Sequence, residues 1–190
     1  VEQYRKFMEY PENTYAKNKQ QEIKLYDNNT IEFRNVSFKY PNMEQYALRN
    51  VNVVLSGREK VGIVGENGAG KSTFVKLLLR LYDVSEGEIL LNGVNIKNYD
   101  YDEYAKVFSV VPQDYALFFF GIAENIAFDK YKEEIDNVKK NLIRVDMLKK
   151  VEKLPYGMDT YLSKWFSKGT DFSGGETQRI AIARGLFRDA

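Results

Sequence analysis

Several stretches of the chain alternate apolar and polar residues with the period of a strand. In Thr30–Tyr40, Ile31 and Phe33 share one face, whereas Val36, Phe38 and Tyr40 share the other. The phase slips midway, which predicts a strand with a bulge or break near Arg34 and Asn35. Pro41 ends the pattern and Leu48–Leu55 resumes it. Two or three such strands ahead of residue 57 predict an antiparallel sheet. The run Val61-Gly-Ile-Val64 then reads as a short buried strand, and Phe74, Leu77, Leu78 and Leu81 recur at helical spacing behind it. Ser85–Gly93 predicts a turn, a short strand and a second turn, and Val107–Val111 a further strand stopped by Pro112. Glu133–Val151 carries Ile135, Val138, Leu142 and Val145 on one stripe with lysines opposite, the pattern of an amphipathic helix. Ile180, Ala183 and Phe187 mark the buried face of a last helix. At the start, Tyr4, Phe7 and Met8 suggest a short helix before Pro11, followed by a polar linker over Lys17–Glu22.

Chemistry enters between the strand at Val61 and the helix at Phe74. Gly65-Glu-Asn-Gly-Ala-Gly-Lys-Ser72 fits the phosphate-binding pattern G-x-x-x-x-G-K-[ST]. Gly65, Gly68 and Gly70 allow close approach of the backbone, and the freed N–H groups and helix N-terminus favour a phosphate chain. Lys71 is placed to reach the β- and γ-phosphates, and the Ser72 hydroxyl to hold Mg2+. Tyr40, at a strand end, either offers its ring to a flat ligand such as a purine or is an ordinary half-buried aromatic. Gln113 follows a predicted strand, on the side of an α/β sheet where ligands bind, and its amide oxygen could accept a metal. A second anion site is predicted at the last helix. There Ser173 and Glu176 have capping-box spacing, and Gly174 and Gly175 leave the first-turn N–H groups open. The apolar run Leu117–Ile122 is either core or a contact surface.

Composition narrows these readings. A chain of 190 residues with 44% hydrophobic and 29% charged residues is that of a soluble globular domain. A net charge of +1 gives no reason to expect nucleic acid as a partner. With no cysteine and no histidine, disulfides, thiol chemistry and zinc sites of the usual kind are excluded. Any general base must therefore be a carboxylate or a group from elsewhere.

Two phosphate sites in one chain are explained by a family resemblance. The stretch from Ile31 to Ala190 resembles, in order, the nucleotide-binding domain of ATP-binding-cassette (ABC) exporters. Gly65–Thr73 (Gly65, Glu66, Asn67, Gly68, Ala69, Gly70, Lys71, Ser72 and Thr73) looks like the Walker A motif, and Val111–Asp114 like the Q-loop. Ser173-Gly-Gly-Glu-Thr-Gln-Arg179 looks like the cassette signature. The resemblance implies an α/β fold: a P-loop NTPase core with an antiparallel β subdomain and a helical subdomain over about residues 115–184. Residues 1–25 would be a linker from a transmembrane domain, and residues 26–190 a partial nucleotide-binding domain lacking the C-terminal strands of its sheet. It further implies ATP and Mg2+ as ligands, with Tyr40 stacking on adenine and Gln113 contacting Mg2+. Ser173, Gly174, Gly175 and Glu176 would cap the ATP held by a second such domain, identical or not. Leu117–Ile126 would face the transmembrane domain of the same transporter, at the cytoplasmic face of a membrane.

Three features depart from the family pattern. Glu176 stands where glutamine is commoner in the signature. Residues 161–172, reading Tyr-Leu-Ser-Lys-Trp-Phe-Ser-Lys-Gly-Thr-Asp-Phe, lack a Gly-Glu pair often found there. The family's Walker B aspartate, catalytic glutamate and switch histidine are not among these 190 residues, which are therefore expected to bind nucleotide but hydrolyse it poorly. Two other readings fit the motifs. One is a cassette ATPase with no transport role, although the short interval from Gln113 to Ser173 carries no heptads. The other is a nucleotide-binding module without turnover.

Overall fold

The computed structural model describes residues 21–188. The helix and most of the linker expected before Glu22 lie outside them. The chain divides between Phe108 and Ser109 into two compact units.

The first unit is built on a four-stranded antiparallel sheet of order β2-β1-β3-β4. Its strands are β1 (Thr30–Phe38), β2 (Leu48–Ser56), β3 (Glu86–Leu91) and β4 (Val94–Asn95). Central strand β1 places Phe33 opposite Val53 on one side and Ile89 on the other. The register shifts between Phe33 and Val36, where Asn35 takes a φ of 50°. This is the bulge that the phase slip predicts, and it lets Phe33, Val36 and Phe38 all be buried. Across from it, a Cβ on Gly87 would lie 2.3 Å from the Arg34 carbonyl oxygen, and the residue's φ is +79°, so glycine is required there.

Helix α1 (Lys71–Leu78) closes this core: Leu77 is fully buried, and the Phe74 ring stacks on Phe33 at 4.3 Å. The helix is shorter than the apolar spacing predicts. Arg80 adopts a left-handed conformation, with its N–H bonded to the Leu77 carbonyl and the Leu81 N–H to that of Lys76. That pair of bonds is a Schellman ending, and it turns Leu81 out to solvent. The Arg80 guanidinium is buried and donates to the Ile96 and Tyr99 carbonyls, each at 2.9 Å. A short helix α2 (Tyr101–Ala105), capped by Asp100, brings Tyr104 under the sheet, where its hydroxyl donates to the Leu78 carbonyl.

Two expected strands are absent. Val61–Val64 is irregular, with Val64 93% exposed, and Phe108–Val111 is irregular with Val110 and Val111 exposed. Among the described residues no strand pairs with either segment. An apolar run becomes a buried strand only when neighbours satisfy its backbone and cover its faces.

The second unit is helical: α3 (Ile122–Ala127), α4 (Ile135–Arg144), α5 (Leu148–Glu152) and α6 (Gly174–Phe187). Its core joins Ile122, Ile126, Val138, Leu142, Met147, Val151, Ile180 and Ala183. The long helix expected over Glu133–Val151 is in fact two. Asp146 is left-handed, its N–H bonds to the Ile143 carbonyl, and the Met147 N–H bonds to Leu142. This is a second Schellman ending, and it swings Met147 into the core. Helix α6 buries Ile180 and Ala183 and half-buries Phe187, as its periodicity predicts.

Candidate nucleotide-binding site

In the first unit the loop from Gly65 leads into α1 through Gly70, whose φ of 87° sets the helix start. A Cβ at Gly70 would meet the Ala47 carbonyl oxygen at 2.5 Å, so the loop can pack here only as glycine. The Lys71 ammonium folds back over the loop and donates to the carbonyls of Gly65 at 2.7 Å and Glu66 at 2.6 Å. It is thus held at the mouth of a turn whose exposed N–H groups and helix N-terminus suit an anion. No acidic residue lies in the first turn of α1 to oppose one. Ser72 is exposed at the rim, whereas Thr73 is only 6% exposed.

The structure brings Tyr40 against helix α1, which this loop opens. Its hydroxyl lies 3.0 Å from that of Thr73, and its ring meets Phe38 and Tyr82 edge-on at 5.0 and 5.3 Å. Lys76, one turn along α1, places its ammonium 3.5 Å from the Tyr40 hydroxyl and over the Tyr40 ring. Tyr40 and Thr73 stand 33 positions apart in sequence but meet in the fold.

Gln113, Ser173, Gly174, Gly175 and Glu176 belong to the second unit. Gln113 lies in an exposed loop. Ser173 precedes α6, and the Glu176 carboxylate accepts the Ser173 N–H at 3.0 Å, the reach-back that the capping-box spacing predicts. Glu176 also pairs with Lys150 of α5. Lys150, then the Ser173 N–H, hold its carboxyl well below the usual range, down to about 2. A Cβ on Gly174 or Gly175 would meet nothing within 4 Å, so the first turn of α6 is open to approach.

Sequence reasoning missed three residues that shape this unit. Tyr115 lies between the Gln113 loop and α6, its hydroxyl donating to the Gly174 carbonyl at 3.1 Å and meeting Thr177 at 2.9 Å. Asn125 is fully buried and binds the loop Phe118–Gly121. Its amide donates to the carbonyls of Phe118, Phe120 and Gly121, and its Oδ1 accepts the Phe118 N–H. Arg184 of α6 then locks Asn125, donating to its backbone oxygen at 2.7 Å, to its Oδ1 at 2.9 Å and to the Ala116 carbonyl at 2.8 Å. The outcome for the apolar run is divided: Ile122 is core, while Phe118, Phe119 and Phe120 are held outward. An asparagine followed 59 residues later by an arginine is no sequence pattern, so nothing in the sequence flagged the pair.

A glycine-rich loop closed by a lysine and opening an α-helix, beside an antiparallel sheet and with a helical unit in the same chain, defines a P-loop nucleotide-binding domain. Comparison with known proteins makes the class specific. Residues 48–190 match the family described as ABC transporter, and the chain belongs to it. It is 42% identical to the subtilin transport ATP-binding protein SpaT of Bacillus subtilis over 85% of this chain and 26% of that protein. It is also 42% identical to the ATP-dependent lipid A-core flippase of Haemophilus influenzae (strain 86-028NP), over 84% of this chain and 27% of that protein. Among solved structures it is similar to a bacterial Atm1-family ABC exporter with ATP bound, with a TM-score of 0.76 and 33% identity over 87% of this chain and 28% of that one. The chain spans about a quarter of the length of the curated relatives it matches. No described helix is long and apolar enough to cross a membrane.

Proposed function

We propose that this chain is the ATP-binding part of an exporter and that it holds Mg-ATP between two copies of such a domain. The observation that carries this is the Lys71 ammonium poised over the Gly65–Gly70 loop, with Tyr40 set against the same helix. In this reading the loop N–H groups and Lys71 hold the phosphates, Ser72 and Gln113 contact Mg2+, and the Tyr40 ring stacks on adenine. Among the described residues no cluster of carboxylates could hold a metal. That suits an ion bound mainly through phosphate oxygens, a hydroxyl and water. Ser173, Gly174 and Gly175 offer open N–H groups to the γ-phosphate of the other copy's ATP. Residues 1–25 would connect to a transmembrane domain, with the helical subdomain running over about 115–184 at the cytoplasmic face. The three outward phenylalanines, Phe118–Phe120, would meet that transmembrane domain.

Titration of Mg-ATP into the chain tests the binding. Lys71→Ala is expected to weaken it by about 10-fold, because the phosphates lose a charge-assisted hydrogen bond and its counter-charge. Equal binding by the variant would remove the P-loop from the account.

A further inference from the structure

Tyr40 meets the phosphate-binding helix through its hydroxyl as well as presenting a ring. The Thr73 side chain is almost wholly buried, and among the described residues Tyr40 is the hydrogen-bonding partner of its hydroxyl, at 3.0 Å. By distance alone either hydroxyl could donate. Lys76 favours donation by Tyr40. An ammonium has donors and no acceptor, so the lysine nitrogen, 3.5 Å from the tyrosine oxygen, gives its proton toward Tyr40. With one Tyr40 lone pair engaged by Lys76, donation from the Tyr40 hydroxyl to Thr73 uses the proton of Tyr40 and leaves the Thr73 proton free for a ligand. Lys76 is held for this role by the rings of Tyr40 and Tyr82, whose centroids lie 5.5 and 6.0 Å from its nitrogen.

The geometry points to a donor relay, Lys76 to Tyr40 to Thr73, that orients and polarises the Thr73 hydroxyl toward a bound phosphate oxygen. A hydroxyl that accepts one hydrogen bond donates the next more strongly. Tyr40 is therefore a positioning residue for the phosphates, acting through Thr73, independently of any stacking of its ring on a base. This rests on the reading of Gly65–Thr73 as the phosphate site.

Tripolyphosphate separates the two roles, since it has phosphates and no base to stack. Tyr40→Phe keeps the ring and removes the relay. We expect it to weaken Mg-tripolyphosphate binding, measured by calorimetry, about 3- to 10-fold, the range one ordinary hydrogen bond supplies. In a Thr73→Val background, Tyr40→Phe should have no further effect. Unchanged or tighter tripolyphosphate binding by Tyr40→Phe would overturn the relay. So would a full additional loss on top of Thr73→Val, which would mark a merely structural role. Failure of the unaltered chain to bind either ATP or tripolyphosphate would instead refute the phosphate site itself.

Discussion

Replacing Asn125 with alanine offers a quantitative test of how the second unit is held. The residue is fully buried and its side chain joins five partners: the carbonyls of Phe118, Phe120 and Gly121 at 2.9, 3.2 and 3.1 Å, the Phe118 N–H at 2.9 Å, and the Arg184 guanidinium at 2.9 Å. A neutral hydrogen bond contributes about 1 kcal/mol net, and one to a charged group about 1.5–3 kcal/mol. Truncation leaves the Phe118 N–H and one arm of Arg184 with no partner on that side, although water reaches the partly exposed members of the network. Taking about half of the full sum for that relief gives a destabilisation of about 2–4 kcal/mol. Chemical denaturation followed by circular dichroism reads this directly. Hydrogen exchange should show the Phe118 amide losing its protection. Arg184→Ala removes one of these five contacts, the bond to Asn125 Oδ1, from the other side, so the double variant should fall short of additivity by about 1 kcal/mol. A loss below about 0.5 kcal/mol for Asn125→Ala, with the Phe118 amide still protected, would refute the reasoning.

The Glu176 carboxyl titrates at about 2 in the folded protein, below its ordinary value. Its stabilising effect is therefore full above about pH 5 and is lost as pH falls toward about 2. Glu176→Gln keeps a capping side chain but removes the charge, so the fall in melting temperature between pH 5 and pH 2 should be shallower than in the unaltered chain. Lys150→Met should flatten the same limb, because Lys150 is the largest cause of the shift, and a parallel limb in both variants would contradict it.

What the sequence disclosed, and what it hid, follow from how local each cause is. The bulge in β1 was legible because burial forces the apolar phase to change across Arg34 and Asn35. The P-loop and the capping box were legible because each is a short stretch that builds its own geometry. Both helix ends misread from the sequence are Schellman endings whose left-handed residue is Arg80 or Asp146, not the glycine that usually signals one. Val61–Val64 has the composition of a buried strand, but strand formation is decided by neighbours that its own residues cannot specify. Tyr40 could be suspected as a ligand aromatic from its place at a strand end. Its hydroxyl contact to Thr73 spans 33 positions, and only folding reveals it. The same holds for Asn125 and Arg184, whose meeting depends on how α6 packs on α3.

In the proposed function one ATP is shared by the Gly65–Thr73 loop of one copy and the Ser173–Glu176 turn of another. The most direct test of this sharing is the mass in solution, by sedimentation equilibrium with and without Mg-ATP, of the chain, of Lys71→Ala, of Ser173→Arg, and of an equal mixture of the two variants. The unaltered chain should form an ATP-dependent dimer, and Ser173→Arg alone none. The mixture should recover partial association, since pairing places one intact loop against one intact turn. ATP binding that leaves the unaltered chain monomeric at every concentration, or full dimerisation of Ser173→Arg, would contradict this sharing.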